Sequence, residues 1–268
     1  MLDTMSDTGL MPPSPETALS DPAEADNVIY NPSREELRTF SRELETTTEF
    51  GSPAYVSEQR SRCADRTKNA IDDEFGADDH AQIETAIEYA REHEMVCIDR
   101  RIGRHPDHTY VGRYYVPKRY ARIALAVTNL FEPAEEGAVP DFLTVQIPEH
   151  DEISIRVLPE TGVTAVLGSD YSGEAKKSFL RLFMRRAKER GGLGLHAGSK
   201  RVTLETEAGE RFSFTDYALI RIGDGRIDAS GTLHELHLRV QGRPALYING
   251  RRTDATVGNG MLEYTGAR

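Results

Sequence analysis

The 268-residue sequence has no long apolar run and very little cysteine. No stretch approaches the roughly 20 apolar residues that a membrane-spanning helix needs, and the N-terminus lacks the basic and apolar regions of a secretory signal. The two cysteines, Cys63 and Cys97, are too few for a disulfide framework and have no metal-ligand spacing. We therefore expect a cytoplasmic protein that has no membrane partner.

Lysine is also scarce, with six lysines against 27 arginines in a chain whose net charge is −11. Dense acidic charge is tolerated best where salt screens it, so the composition indicates a halophilic proteome. The sequence shows no basic stripe, which argues against a nucleic-acid partner.

The composition changes along the chain and predicts three segments. Residues 1–25 are polar and rich in Ser, Asp, Pro and Thr, which predicts a disordered acidic tail. Helix and strand patterns alternate over residues 26–200, which predicts a mixed α/β domain. Residues 201–268 contain short strand patterns between Gly- and Asp-bearing turns, so we expect a β-rich segment that packs on the α/β domain.

Hydrophobic periodicity predicts four helices in the α/β domain. Ser33 and Glu36 form the signature of a capping box at the start of the first helix. The second helix begins at Asp79, the third begins at Pro117 and the fourth covers residues 172–189. The strands are expected at residues 95–98, 109–116, 142–147, 153–158, 163–168, 201–206, 211–214, 217–222, 233–240 and 245–248.

The segment from Gly168 to Ser178 contains two adjacent lysines, Lys176 and Lys177. Neighbouring ammonium groups repel each other, and the positive end of a helix dipole disfavours their charge further. A lysine deprotonated in this way can bind a transition metal, and His196 after the helix can supply a second nitrogen ligand. The alternative is that both lysines are surface residues of an exposed helix and bind no ligand.

The run Tyr171–Lys177, which reads Y-S-G-E-A-K-K, resembles the Y-x-G-E-x-K-K signature of ATP-dependent phosphoenolpyruvate carboxykinases. His196 stands where that family has the histidine of an H-C-S-A-N segment, although different residues follow it here. Further similarities occur in the family's order along residues 27–200. They lie at Val28–Ser33, Asp99, Gly103, Pro106–Asp107, Arg113, Asn129–Phe131 and Pro140–Phe142.

The resemblance implies the fold of the family's N-terminal, substrate-side domain and a role for each matched residue. Tyr171 would hold oxaloacetate or phosphoenolpyruvate, and Lys176 would face the substrate and the transferring phosphoryl group. Lys177 and His196 would bind Mn²⁺ or Mg²⁺. Arg60 is the nearest match to the family's substrate arginine, whose guanidinium can grip a carboxylate through two hydrogen bonds. A structural salt bridge is the alternative for Arg60.

The family's phosphate loop, G-x-x-G-T-G-K-T-T, has no counterpart among these residues, which contain no Gly-Lys dipeptide. Such a loop cradles the phosphates with its backbone amides and reaches the outer ones with its lysine. The near match that begins at Gly168 is followed by Glu174, whose charge repels phosphate. We therefore do not expect ATP to bind this chain alone, and we expect a partner subunit that contains the phosphate loop.

Three functions are compatible with these features. The first is one component of a gluconeogenic phosphoenolpyruvate carboxykinase, a carboxy-lyase completed by a nucleotide-binding partner. The second is a non-catalytic relative that binds a dicarboxylate or phosphoenolpyruvate for regulation. The third is a metal-assisted oxaloacetate decarboxylase, because a cation can stabilise an enolate without ATP.

Overall fold

The computed structural model describes residues 13–57, 64–104, 107–192 and 194, and the strands that lie between residues 198 and 263. The chain divides into two compact units between Gly194 and Leu195. The boundary predicted after residue 200 lies within the strand Gly198–Glu205.

The first unit alternates helices and strands, as the hydrophobic pattern predicts. Its helices are α1 Arg34–Phe40, α2 Ala77–Glu92, α3 Ala121–Leu130 and α4 Ser172–Glu189, and short 3-10 turns extend α1 and precede α3. Its strands are β1 Val28–Tyr30, β2 Thr46–Thr47, β3 Pro53–Ala54, β4 Thr67–Asn69, β5 Met95–Ile102, β6 Tyr110–Pro117, β7 Glu132–Pro133, β8 Phe142–Ile147, β9 Ser154–Leu158 and β10 Val163–Leu167.

The second unit consists of strands in the part that the structure describes. They are β11 Gly198–Glu205, β12 Arg211–Ala218, β13 Ile220–Gly223, β14 Arg226–Ala229, β15 Ala245–Ile248, β16 Arg251–Thr253, β17 Thr256–Gly258 and β18 Met261–Glu263. Four of them form an antiparallel sheet in the order β12-β11-β15-β16, and two hairpins pair β13 with β14 and β17 with β18. The predicted strand over 233–240 lies outside the described residues.

One mixed sheet organises the first unit, with the order β1-β5-β6-β8-β10-β9-β4 and β7 beside β5. Neighbouring strands β6, β8 and β10 run parallel, whereas β9 is antiparallel to β10. The end of β10 therefore lies at the same sheet edge as the ends of β6 and β8 and the start of β9. Ligands commonly bind at this edge of α/β sheets, where loops follow the carboxyl ends of parallel strands.

Helices cover both faces of the sheet, because successive side chains of a strand point to opposite faces. Val96 and Ile98 of β5 pack with α1, α3 and α4, whereas Met95 and Cys97 pack with α2. Helix α4 approaches β6 closely, since a Cβ at Gly112 would lie 2.7 Å from a ring carbon of Phe179. The mixed α/β class predicted from the sequence is confirmed.

Two predicted helix boundaries can be checked in detail. Ser33 accepts a hydrogen bond from the Glu36 amide at 3.2 Å, and the Glu36 carboxylate accepts one from the Ser33 amide at 2.8 Å, so the predicted capping box is confirmed. Helix α4 has the predicted bounds, and Gly191 after it has a positive φ of 75°. Glycine adopts that conformation without strain, which explains the helix end.

Residues 13–25 differ from the predicted disordered tail. They form a series of turns in which Ala18 is buried among the residues of the α2 face. The Ala18 carbonyl accepts a hydrogen bond from Arg91 of α2 at 2.7 Å. The apolar contact and the hydrogen bond together hold a segment whose own composition is polar.

No helix in the described residues is both long and apolar enough to cross a membrane.

Asp79 ties the start of α2 to the β9–β4 edge of the sheet. Its carboxylate accepts a hydrogen bond from the Gly76 amide at 3.0 Å and lies 3.2 Å from Lys68 Nζ and 2.6 Å from Arg156 Nε. Burial alone would raise the pKa of Asp79, but the Gly76 hydrogen bond and the two cations outweigh it and lower the pKa below 3.8. The ionised carboxylate therefore stabilises the folded state.

We expect Asp79→Asn to reduce the free energy of unfolding by about 2 kcal/mol at neutral pH, because it removes a charged hydrogen-bond acceptor. Folding lowers the pKa of Asp79, so the ionised carboxylate stabilises the folded state fully above about pH 4. This stabilisation is lost as the pH falls through the pKa of Asp79 in the folded state. Urea unfolding should show a smaller difference in the free energy of unfolding between wild type and variant at about pH 3 than at about pH 6. Asp78→Asn, an exposed change in the same turn, is the control, and a gap independent of pH would contradict the prediction.

Candidate functional site

The connection between β10 and α4 is a buried polar loop, residues 168–171. Gly168 turns the chain with a positive φ of 64°, and a Cβ there would lie 2.5 Å from the Glu152 carbonyl oxygen. Ser169 and Asp170 follow, and both are almost completely buried. Tyr171 then precedes the first residue of α4. Buried polar groups need partners, so the surroundings of this loop determine where Tyr171 lies.

Gln146, near the end of β8, binds this loop from the sheet side. Its Nε2 donates to the carbonyl of Ser169 at 2.8 Å and to that of Tyr171 at 3.3 Å. Its Oε1 accepts a hydrogen bond from the Tyr114 hydroxyl of β6 at 2.9 Å. Burial raises the pKa of Tyr114, which keeps this hydroxyl protonated as the donor. Two strands of the sheet thus hold the backbone at Tyr171.

Asp170, which belongs to this loop, joins it to two other parts of the chain. Its Oδ2 lies 2.6 Å from Arg122 Nη2 of α3, and its Oδ1 accepts a hydrogen bond from the Ser57 hydroxyl. The Asp170 side chain is 2% exposed and that of Arg122 is 14% exposed, so the ion pair is screened little by solvent. The two oxygens of one carboxylate therefore join three parts of the chain immediately before Tyr171.

The matched run Tyr171–Lys177 begins at the residue before α4 and continues through the first six residues of the helix. The Tyr171 ring lies over Gly173, where a Cβ would overlap it, so the glycine makes room for the ring. Lys177 Nζ lies 4.9 Å from the centre of the Tyr171 ring, within the range of a cation–π contact. Tyr171 and Lys177 are therefore brought together, while Lys176 points to the exposed surface.

Lys177 also has a partner that the sequence analysis does not include. Its Nζ lies 2.5 Å from the carboxylate of Glu174, which is fully buried, and Arg181 contacts the other carboxylate oxygen at 3.2 Å. The Lys177 nitrogen is thus already engaged with a carboxylate, whereas a metal ligand has to offer its lone pair to the metal. To bind a metal, Lys177 would therefore have to break its ion pair with Glu174. Glu174 would then remain paired with Arg181.

Three polar side chains of the run, those of Tyr171, Ser172 and Lys176, have no hydrogen-bond or ion-pair partner among the described residues. In the described part of the chain, neither the Tyr171 hydroxyl nor the Lys176 ammonium makes a hydrogen bond or ion pair. Around them, Gln146, Asp170, Glu174 and Lys177 are all paired. The Tyr171 and Lys176 groups are a phenolic donor and an exposed cation, which suit an anionic ligand.

The remaining predicted site residues, Arg60 and His196, lie outside the described residues, so the predicted metal pair stays a prediction. Within the described ranges no group of three His, Cys, Asp or Glu side chains is arranged to hold a metal ion. Of the predicted ligands the structure describes only Lys177, and its ion pair with Glu174 does not by itself fit a metal site.

Four of the upstream residues singled out by resemblance form a separate cluster in the sheet. Arg113 makes two hydrogen bonds to the Asp99 carboxylate at 2.8 and 2.7 Å, and the Tyr30 hydroxyl donates to it at 2.8 Å. Asn31, at a φ of 45°, accepts from the Asp99 amide at 2.9 Å. Burial and this carboxylate raise the pKa of Tyr30 to about 12. The cluster joins β1, β5 and β6 and has a structural role.

Sequence reasoning missed Gln146, Arg122 and Ser57, although two signals were available. Gln146 is a polar residue within an otherwise apolar strand pattern, which indicates a buried partner. Asp170 directly precedes the tyrosine of the run. Neither signal identifies the partner, because the contacts span 23 to 113 residues along the chain.

We expect Gln146→Met to lower the free energy of unfolding by about 1–3 kcal/mol, because it removes the buried hydrogen bonds that the Gln146 side chain makes with the Tyr114 hydroxyl and the Ser169 carbonyl. Thr144→Val is the control on the same strand. In the described part of the chain the Thr144 hydroxyl is buried and has no hydrogen-bond partner, so its removal should cost nothing or stabilise. Urea unfolding measures both, and equal effects would show that the Gln146 hydrogen bonds do not hold the loop.

Two comparisons identify known proteins that this chain is similar to. A sequence model of the phosphoenolpyruvate carboxykinase family, of the ATP type, matches residues 27–211. The phosphoenolpyruvate carboxykinase (ATP) of Aeropyrum pernix is 33% identical over 187 residues, which cover 69% of this chain and 38% of that protein. The chain thus spans well under half the length of this curated relative. The matched region runs from β1 through α4 and contains both the Asp99 cluster and the Tyr171–Lys177 run, and on this basis the chain belongs to the ATP-dependent phosphoenolpyruvate carboxykinase family.

Proposed function

We propose that this chain is the substrate side of an ATP-dependent phosphoenolpyruvate carboxykinase. In this proposal it binds oxaloacetate or phosphoenolpyruvate at the start of α4 together with a divalent cation. Phosphoryl transfer then requires a nucleotide site built from residues outside this sequence, since these residues include no phosphate loop.

The observation that carries the proposal is that two side chains at the start of α4 have no hydrogen-bond or ion-pair partner, while the loop before the helix is held in place by hydrogen bonds. Gln146 and Asp170 hold the loop that presents Tyr171, while the Tyr171 hydroxyl and the Lys176 ammonium have no partner within the described residues. A site whose supporting groups are paired and whose presented groups are free is preorganised for a ligand. A phenol and an ammonium can each donate a hydrogen bond to a carboxylate.

Chain connectivity supports including Arg60 in the site. The Ser57 hydroxyl is bonded to Asp170, the residue before Tyr171, and Arg60 lies only three positions after Ser57. Three residues span at most about 11 Å, which a long arginine side chain can bridge in either direction. We propose that Arg60 and Tyr171 grip the same small acid.

These residues would bind and orient the acid rather than break its bonds. The cations Arg60 and Lys176 would hold the carboxylates, and Tyr171 would fix the orientation of the acid by hydrogen bonding. When bound, a divalent cation supplies Lewis acidity that stabilises the enolate left after decarboxylation. The proposal gives Lys177 and His196 the role of holding that cation.

Isothermal titration calorimetry with separate titrations of phosphoenolpyruvate, oxaloacetate and ATP tests the substrate assignment. We expect both acids to bind and ATP not to bind. Tyr171→Phe and Lys176→Met should each weaken acid binding by roughly 10-fold or more, the loss of one charge-assisted hydrogen bond. Lys188→Met, which removes an exposed lysine from the far end of the same helix, should leave the affinity unchanged.

Two results would contradict this assignment. Absence of binding by either acid to the wild-type chain would overturn the proposed substrate class. Micromolar ATP affinity would overturn the proposal that the nucleotide site lies elsewhere.

Metal binding is tested separately through the paramagnetic resonance of free Mn²⁺, whose signal falls when the ion is bound. We expect His196→Ala to reduce bound Mn²⁺. Lys177→Arg should reduce it too, since arginine can still pair with Glu174 but cannot lose its proton to bind a metal. Lys188→Arg is the matched control. If Lys177→Arg binds Mn²⁺ as the wild type does, Lys177 is a structural partner of Glu174 and not a ligand.

A further inference from the structure

A cavity of about 530 Å³ lies beside β9, on the face of the sheet that α2 covers. Arg156 of β9 lines it and alternates with Ile155 and Val157, which pack on the opposite face with α3 and α4. Lys68 of β4, Gln82 of α2 and the loop before β9 contribute further walls. This space, called the β9 cavity below, has the size of a small-molecule site, and its lining includes no described residue of the loop between β10 and α4.

Two buried polar atoms on the lining of the β9 cavity have no hydrogen-bond partner in the part of the chain that the structure describes. They are the hydroxyl oxygen of Ser154, a residue that is only 4% exposed, and the side-chain carbonyl oxygen of Gln82. A buried polar atom without a partner costs about 1–3 kcal/mol, so such atoms are usually paired. Two of them around one cavity indicate that a ligand supplies the missing hydrogen bonds.

The two cations next to these atoms are already held in place. The Asp79 carboxylate lies 3.2 Å from Lys68 Nζ and 2.6 Å from Arg156 Nε. Arg156 Nη1 also donates to the carbonyl oxygens of Arg66 at 2.9 Å and Ile155 at 3.1 Å. The wall formed by β4 and β9 is therefore fixed before any ligand arrives, which lowers the cost of ordering a site.

The exposed part of the lining has charges of both signs. Asp151 and Glu152 make no ion pair within the described residues. The Arg66 side chain is 60% exposed, and its one ion pair in the described part of the chain is a loose contact of 3.8 Å with Asp65. When Asp79 is included, the cavity has one more carboxylate than it has cations.

The chemistry of the unpaired atoms distinguishes between ligand classes. The Gln82 carbonyl oxygen can only accept hydrogen bonds, so its partner has to be a donor. Phosphates and dicarboxylates offer acceptors and bring negative charge to a lining that already has a surplus of it. Ammonium and guanidinium groups offer only donors and compensate that surplus.

We propose that the β9 cavity binds a basic amino acid, a small molecule with one carboxylate and two cationic groups. Arg66 receives the carboxylate, since a guanidinium can form two parallel hydrogen bonds with it. Asp151 and Glu152 receive the cationic groups, and Gln82 and Ser154 accept hydrogen bonds from their N–H donors. The net charge of the ligand, +1, matches the surplus carboxylate of the cavity.

Calorimetry on the wild-type chain tests the ligand class with three compounds titrated separately. L-Lysine has all three charged groups, L-norleucine lacks the side-chain ammonium, and cadaverine lacks the carboxylate. We expect L-lysine to bind, and we expect each of the other two to bind at least roughly 10-fold more weakly, because each lacks one charge-assisted contact.

Variants of the chain test the location of the site. Ser154→Ala and Asp151→Asn should each weaken L-lysine binding by roughly 5-fold or more. Ser154→Ala should leave the urea midpoint unchanged or raise it, because the hydroxyl has no partner in the unliganded chain. Thr164→Val is the matched control, since it removes another fully buried hydroxyl without a partner among the described residues, away from the cavity lining. It should leave L-lysine affinity unchanged.

Three results would overturn this inference. The wild-type chain binds no L-lysine, or it binds norleucine or cadaverine as tightly as L-lysine, or both Ser154→Ala and Asp151→Asn keep the wild-type affinity. None of these results depends on whether oxaloacetate or phosphoenolpyruvate binds at the start of α4, so the proposed function and this inference can fail separately.

Discussion

The site depends on the requirement that the buried loop between β10 and α4 find partners for its polar groups. Gln146 satisfies two backbone carbonyls, and Arg122 and Ser57 satisfy the Asp170 carboxylate. Each partner comes from a different part of the chain, so the loop can be satisfied only when the sheet, α3 and the segment after β3 are all in place. Formation of the site is therefore coupled to formation of the fold, and Tyr171 gains a fixed position without making a hydrogen bond through its own hydroxyl.

At the start of α4, repulsion between two adjacent lysines is opposed by the ion pair that one of them makes. Two adjacent lysines near the positive end of a helix would be expected to repel each other and to favour loss of a proton. The buried Glu174 changes this balance, because it provides Lys177 with a carboxylate and is itself supported by Arg181. The two lysines are thus unequal: one is engaged within the helix and the other is exposed. A cation that bound Lys177 would have to compensate for the ion pair that it displaced.

The sequence predicts local features of this chain well and long-range ones poorly. The bounds of α4 and β8 and the capping box at Ser33 and Glu36 follow from periodicity and from side-chain chemistry within a few residues. The contacts of Gln146 and Asp170 do not follow, since a buried amide or carboxylate signals only that some partner exists. Residues 13–25 illustrate the same limit, because their polar composition predicts disorder while the α2 face supplies the contacts that order them.

The similarity to carboxykinases divides into a part that the fold explains and a part that it does not. Tyr30, Asn31, Asp99 and Arg113 bond to one another, so a chain would retain them for stability whether or not it bound a substrate. Gly173 makes room for the Tyr171 ring, and Glu174 pairs with Lys177, which are also structural reasons. Lys176 differs: it is exposed, and in the described part of the chain it makes no hydrogen bond or ion pair. Removing it would cost the fold almost nothing, so the fold does not explain its match to the family signature.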